Sequence, residues 1–221
     1  MSNLTIIYYT SNKEGEVFEQ RIRDTILRNS HNLPIISVSQ KPIDFGHNIC
    51  VGEVGVSGFN MFRQIEIACK VAKTPFVISC EADCLYPEEY FNFFPGKLDV
   101  CYRNTNLYVM GQWRSYFYKK NEGATHAQVI GRQYYLDTLS NLFAGAPLWS
   151  EEERNFPKER NGMNDIFSKD QIFRYQGKEP VVQIKTTRSM RHYTHSNRTP
   201  INSIPYWGEG KEFRKKYYAD H

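Results

Sequence analysis

The sequence predicts a single α/β domain with a central mixed, mostly parallel sheet flanked by helices. Two observations carry that prediction. The chain opens strand–turn–helix–strand, the unit that builds parallel sheets. A second helical stripe then leads into a largely apolar, strand-like run at 76–80. No internal repeat, low-complexity tract or linker divides the 221 residues, so they read as one domain.

Residues 4–10 are apolar and rich in Ile, Tyr and Thr. Such a run suits a strand buried on both faces. Ser11-Asn12-Lys13 is a polar turn. Residues 17–27 carry apolar side chains at 18, 22, 26 and 27, a helical stripe. Residues 34–38 form the second strand. Four glycines punctuate 41–58, where 49–51 reads as a short strand. Residues 59–73 read as a helix, with Phe62, Ile65, Cys69 and Ala72 on one face. Thr74-Pro75 ends it. Strand 76–80 then runs straight into Glu81-Ala82-Asp83. Further on, 99–103 and 107–110 read as a hairpin turning at Asn104-Thr105-Asn106. A strand at 127–130 leads to a helix at 134–143. Two weak helical pieces fall in 149–170, and 181–185 is a late strand.

The composition is 40% hydrophobic and 14% aromatic, which excludes a disordered chain. No apolar run approaches the ~18 residues of a membrane-crossing helix. The N-terminus has no basic stretch followed by a long apolar one, so no secretory signal is read there. The five cysteines form no CxxC pair. Their odd number predicts reduced thiols in a cytoplasm and argues against zinc.

Net charge is +4. Residues 1–187 are neutral overall. Residues 188–221 hold seven basic and three acidic side chains, and three of the six histidines. The surplus reads either as a solvated C-terminal helix or as a site for an anionic ligand.

Ligands of open α/β sheets bind beyond the carboxyl ends of the strands. Three segments fall there: Thr10 to Lys13, the glycine-rich 52–58 loop before a helix start, and Glu81-Ala82-Asp83. In the last, two carboxylates leave a buried strand together, and burying them unpaired is costly. A divalent cation such as Mg²⁺ or Mn²⁺ would neutralise them. The plainer reading is a strand that ends in solvent, where acids are common.

A strand ending in Glu-x-Asp and followed by Leu85-Tyr86-Pro87 resembles the DxD segment of nucleotide-sugar-dependent glycosyltransferases of the GT-A fold. The resemblance spans roughly 4–195. The 36–42 segment and the Glu81 segment look like small glycosyltransferase-like proteins of bacteriophages and their hosts. The resemblance implies a nucleotide-sugar-binding half at 1–100. An acceptor-binding half with the basic tail follows at 101–221. It implies a UDP-sugar donor and a Mn²⁺ or Mg²⁺ ion. Asp83 would be the direct metal ligand. Glu81 departs from the usual first Asp, which leaves its role open. Thr10, Ser11 and Asn12 would lie against base and ribose. Arg63 would be the basic residue of the helix before the motif, and Ala82 would contact the donor. A late histidine often completes such a metal site. His192 and His195 both qualify, with His192 nearer the strand end. Arg191 and its basic neighbours would close over the diphosphate.

An inverting transfer also needs a carboxylate base near the acceptor hydroxyl. Asp165 matches that segment of the family best, with Glu151, Glu152 and Glu153 as rivals. A retaining mechanism needs no such base, and the residues admit both. The phage-like resemblance and the basic, aromatic tail favour a hydroxymethylpyrimidine in DNA as acceptor, within a bacterial or phage-infected cell. A cell-envelope saccharide is the alternative. A non-catalytic nucleic-acid-binding module is the rival of another class. A nucleotidyltransferase is disfavoured by the single glycine after the first strand.

Overall fold

A computed structural model describes residues 3–121, 123–152, 166–189, 197 and 199–218. Strand β1 (Leu4–Thr10) is followed by α1 (Glu16–Asn29), β2 (Ile35–Ser39), β3 (His47–Cys50), α2 (Gly58–Val71) and β4 (Phe76–Glu81). The short β5 (Cys84–Leu85) and α3 (Glu88–Phe91) come next. Then come β6 (Cys101–Asn104), β7 (Leu107–Gly111), β8 (Tyr118–Lys119), β9 (Gln128–Gly131) and α4 (Arg132–Leu142). The last elements are β10 (Ile172–Tyr175), β11 (Val181–Lys185), β12 (Ser203–Ile204), β13 (Gly208–Glu209) and α5 (Gly210–Tyr217).

Seven strands form the main sheet in the order β10-β6-β9-β4-β1-β2-β3. Strand β9 pairs antiparallel with β4 and β6; the other pairs are parallel. The predicted α/β fold with a mixed, mostly parallel sheet is therefore observed. A second sheet, β5-β11-β7-β8, stands beside it.

The two-residue period of a strand explains the core. In β1, Leu4, Ile6 and Tyr8 enter one cluster with Phe18, Ile22 and Ile26 of α1. Ile7 and Tyr9 enter the other with Phe59, Phe62 and Ile65 of α2. A strand covered on both faces must be apolar throughout, which is why this one stood out. Helix α2 starts cleanly because the Ser57 hydroxyl accepts from the Asn60 N–H at 3.0 Å.

One expectation fails. Strands β6 and β7 do not form a hairpin; they belong to different sheets. The Asn104 side-chain carbonyl accepts from the Asn106 N–H (2.8 Å) and the Gly177 N–H (3.2 Å). Asn106 in turn donates to the Gly177 carbonyl at 2.9 Å. These bonds hold the turn against the 176–178 loop and pass the chain to the second sheet. Of the helical pieces expected in 149–170, a 3₁₀ turn at Lys169–Gln171 is seen; 153–165 lies outside the described residues. Among the described residues, no helix is long and apolar enough to cross a membrane.

The polar side of α1 is built into the fold as well. Glu19 is buried and accepts from the Thr10 hydroxyl at 3.0 Å, with Arg23 also on it. Burial outweighs both partners and pushes its carboxyl up to about 7. An unfolded glutamate titrates near 4.5, so between these values the folded state holds the extra proton. Glu19's contribution is thus full below pH 4.5 and is lost as pH rises to about 7. Urea unfolding across that range is expected to show stability falling with pH, and Glu19→Gln to remove this residue's share. A Glu19→Gln variant with the wild-type slope would contradict it.

Candidate functional site

The strands β1, β2 and β4 run parallel, so their carboxyl ends share one edge of the sheet. A pocket of about 130 Å³ opens there. Tyr9, Thr10 and Ser11, Gln40, and Glu81 to Asp83 line it from the strand ends. Gly55 to Ser57, Asn60 and Gln64 line it from α2 and the loop before it. Lys13, Glu14, Arg188 and Ser189 complete the wall.

Thr10 and Ser11 line this pocket, but Asn12 acts behind it. Asn12 sits in the left-handed region at φ 53°, which asparagine tolerates. Its side-chain oxygen accepts from the N–H groups of Gln40 (2.9 Å) and Lys41 (2.8 Å). It therefore ties the end of β1 to the end of β2. Gln40 passes the tie onward, donating to the Gly55 carbonyl at 2.7 Å.

The 52–58 loop is held by protein rather than left open to phosphate. Glu151 accepts from the Val56 N–H at 3.2 Å, and the Ser57 hydroxyl donates to the Ser150 carbonyl at 2.6 Å. Gly55 has φ 85°, and a Cβ there would strike Glu151. Glu151, a rival for the base, thus also holds the 52–58 loop. Glu152 is exposed; Glu153 and Asp165 lie outside the described residues. Arg63 is also committed elsewhere. Its guanidinium donates to the Leu148 and Pro147 carbonyls (both 2.9 Å) and to Glu66 (2.8 Å), and lies 3.6 Å over the Phe143 ring. It staples α2 to the 147–148 segment and does not line the pocket.

Glu81 and Asp83 are both half-buried on the pocket wall. The Tyr9 hydroxyl donates to Glu81 at 3.0 Å. Burial, and then the neighbouring Asp83, push the Glu81 carboxyl up to about 7. One Asp83 oxygen accepts from the Gln183 amide at 3.0 Å, the other from the Cys84 thiol at 3.1 Å. The Asp83 carbonyl accepts from the Ile184 N–H at 2.8 Å. The second sheet thus fixes the motif through β11. Ala82 lies between them on the wall, buried.

Reading the sequence missed four contributors. Glu14 accepts from the Thr186 hydroxyl at 2.8 Å, and burial raises its carboxyl. Lys120 donates to Gln183 at 3.4 Å; burial and Lys185 lower its ammonium. Lys120 and Lys185 both act on Glu81 electrostatically. Arg188, one of the basic surplus, reaches the wall and donates to the Lys13 carbonyl at 3.3 Å. Glu14 was visible only as a polar residue after the first strand, and Arg188 only as one of the late basic surplus. Arg191, His192 and His195 lie outside the described residues.

The tail reads as an amphipathic helix. In α5, Phe213 and Tyr217 are buried against Trp207 and Phe117, while Arg214 donates to the Gln112 carbonyl at 2.8 Å. These two aromatic side chains are not free to stack on bases.

No protein-family model matches the chain, and no curated protein does. Solved structures overlap it weakly. The apo-form glycosyltransferase GlyE of Streptococcus pneumoniae TIGR4 gives a TM-score of 0.48 at 12% identity over 77% of this chain and 44% of its own. The bifunctional IspDF of Campylobacter jejuni gives 0.43 at 11% over 80% and 50%. S. aureus TarS 1-349 in complex with UDP-GlcNAc gives 0.45 at 10% over 86% and 60%. The chain spans about half the length of these structures. Likeness at this level does not transfer a ligand or a reaction.

The motif hangs on one hydroxyl. Tyr86 Oη accepts from the Glu81 N–H at 2.8 Å and donates to the His126 carbonyl at 2.9 Å. Tyr86→Phe leaves a buried donor and acceptor unmet, and is expected to cost about 1–3 kcal/mol. Chemical denaturation checks this; a variant as stable as wild type would contradict it.

Proposed function

We propose that this chain is a nucleotide-sugar-dependent glycosyltransferase of the GT-A type, moving a sugar from a UDP-sugar to a hydroxyl acceptor. One observation carries the reading. Glu81 and Asp83 stand together on a pocket at the carboxyl ends of β1, β2 and β4, opposite the Thr10-Ser11 turn. A sugar nucleotide needs such a place for base and ribose beside its diphosphate.

The residues fit a divalent cation. Each Asp83 oxygen accepts one hydrogen bond, which leaves lone pairs for a metal and sets its orientation. Asp83 would hold Mn²⁺ or Mg²⁺, with Glu81 beside it and a late histidine such as His192 as a further ligand. The ion, when bound, stabilises the charge that develops on the departing diphosphate. Arg188 and Lys13 stand on the same wall and would oppose that charge directly. Tyr9 and Gln183 keep the two carboxylates in place as the sugar–phosphate bond breaks. For an inverting reaction, Asp165 remains the proposed base that takes the acceptor proton.

The acceptor proposed first from the sequence is a hydroxymethylpyrimidine in DNA. Burial of Phe213 and Tyr217 withdraws part of the tail's case for it, and a cell-envelope saccharide stands beside it. In a nucleic-acid-binding module, by contrast, Asp83 would be dispensable.

The test is release of nucleoside diphosphate. The protein is incubated with UDP-glucose and other sugar nucleotides, with Mn²⁺ or Mg²⁺, and with hydroxymethylated DNA, plain DNA or envelope saccharide. Wild type is expected to release UDP, and Asp83→Asn to lose about 10²-fold or more. No release with any donor, or full release by Asp83→Asn, would overturn the reading.

A further inference from the structure

Behind the pocket wall lie two donors that the reaction above does not use, Cys84 and His126, next to Glu81, which lines the wall. Glu81, Cys84 and His126 each present a ligating atom, and these atoms all lie within 4.8 Å of one another. They come from the end of β4, from β5 and from the residues just before β9, so they meet where the two sheets adjoin. Cys84 and His126 are buried, at 0% and 3% exposure. His126 Nε2 has no hydrogen-bond partner there. A buried polar atom left unmet calls for an explanation, and an ion is one of the recognised ones.

We propose that Glu81, Cys84 and His126 form a second divalent-cation site, of the zinc class, next to the ion proposed at Asp83 and with the Glu81 carboxylate between the two. One thiolate, one imidazole and one carboxylate make the borderline-soft donor set that Zn²⁺ takes, and three protein ligands leave a fourth position. Donors around a tetrahedral zinc stand roughly 3.3–3.6 Å apart at ordinary bond lengths. The trio therefore closes on an ion through side-chain movement of about an ångström.

Lys120 and Lys185 act on Glu81 and His126, and Arg103 on His126, and all three oppose any cation. That repulsion depends on charge alone, so it is equal for Mg²⁺, Mn²⁺ and Zn²⁺. Only a cation that bonds strongly to sulfur and nitrogen gains enough to offset it. Lys120 is also drawn aside by Gln183. On coordination the Cys84 thiol gives up its proton, first toward Asp83, whose oxygen already accepts from it, and then to solvent. His126 Nε2 gains the partner it lacks.

The site does not depend on sugar transfer, and its test needs no turnover. The full chain, stripped with a chelator, is titrated with Co²⁺ and with Zn²⁺. Wild type is expected to bind one Zn²⁺ and, with Co²⁺, to show a thiolate-to-cobalt charge-transfer absorption. Cys84→Ser is expected to abolish that band and lower zinc affinity at least about 10-fold. Cys50→Ser, which alters the exposed cysteine, keeps both. His126→Gln is expected to weaken zinc by a similar factor, and zinc to raise the melting temperature of wild type but not of His126→Gln. Absence of the band in wild type would overturn the site, as would its loss in Cys50→Ser or equal zinc affinity in all three variants. These outcomes are readable whether or not the protein releases UDP.

Discussion

The structure depends on holding two carboxylates close together at the end of a buried strand, with no direct ion pair among the described residues. Like charges at such a distance repel, and each loses hydration on leaving water. The fold answers with neutral donors. Tyr9 serves Glu81, while Gln183 and Cys84 serve Asp83. Lys120 and Lys185 act from further off. Neutral donors orient a carboxylate without consuming its charge, so the pair remains available to a cationic ligand.

This constraint explains the second sheet. Gln183 belongs to β11, and Ile184 of the same strand takes the Asp83 carbonyl. Tyr86, just after β5, joins the Glu81 N–H to the His126 carbonyl. The main sheet delivers the motif; the second sheet orients it. Asn104 and Asn106 contribute by sending the chain from one sheet to the other instead of closing a hairpin. A site of this kind needs rigid support around its first contacts, and here that support is drawn from both sheets.

What could be read from the sequence follows from burial. Strands β1 and β4 are covered on both faces, so their largely apolar runs announced them. Strand β10 lies at the sheet edge with Phe173 and Arg174 exposed, and gave no pattern. Two-residue strands such as β5 and β8 carry no period at all. In the site, Thr10, Ser11, Glu81 and Asp83 were legible because they follow strands. That Arg63 binds Pro147 and Leu148 instead of lining the pocket was not legible, because those partners are more than 80 positions away. Glu14, Gln183 and His126 matter only through partners the chain brings from afar. Cys84 likewise lies near Glu81 and His126 only because the two sheets adjoin, which cysteine spacing does not show.

The same distinction decides what the basic surplus can do. Lys215 and Lys216 sit on the solvent side of α5, where salt screens them and their geometry is loose. Arg188 belongs to a turn in which the Thr186 hydroxyl accepts from the Arg188 and Ser189 N–H groups, both at 3.1 Å. Thr186 also donates to Glu14 on the pocket wall. A cation on so constrained a turn is placed before any ligand arrives, and loses little freedom in meeting an anion. Of the charges gathered late in the chain, the single arginine beside Glu14 therefore weighs more for an anionic ligand than the lysines of the terminal helix.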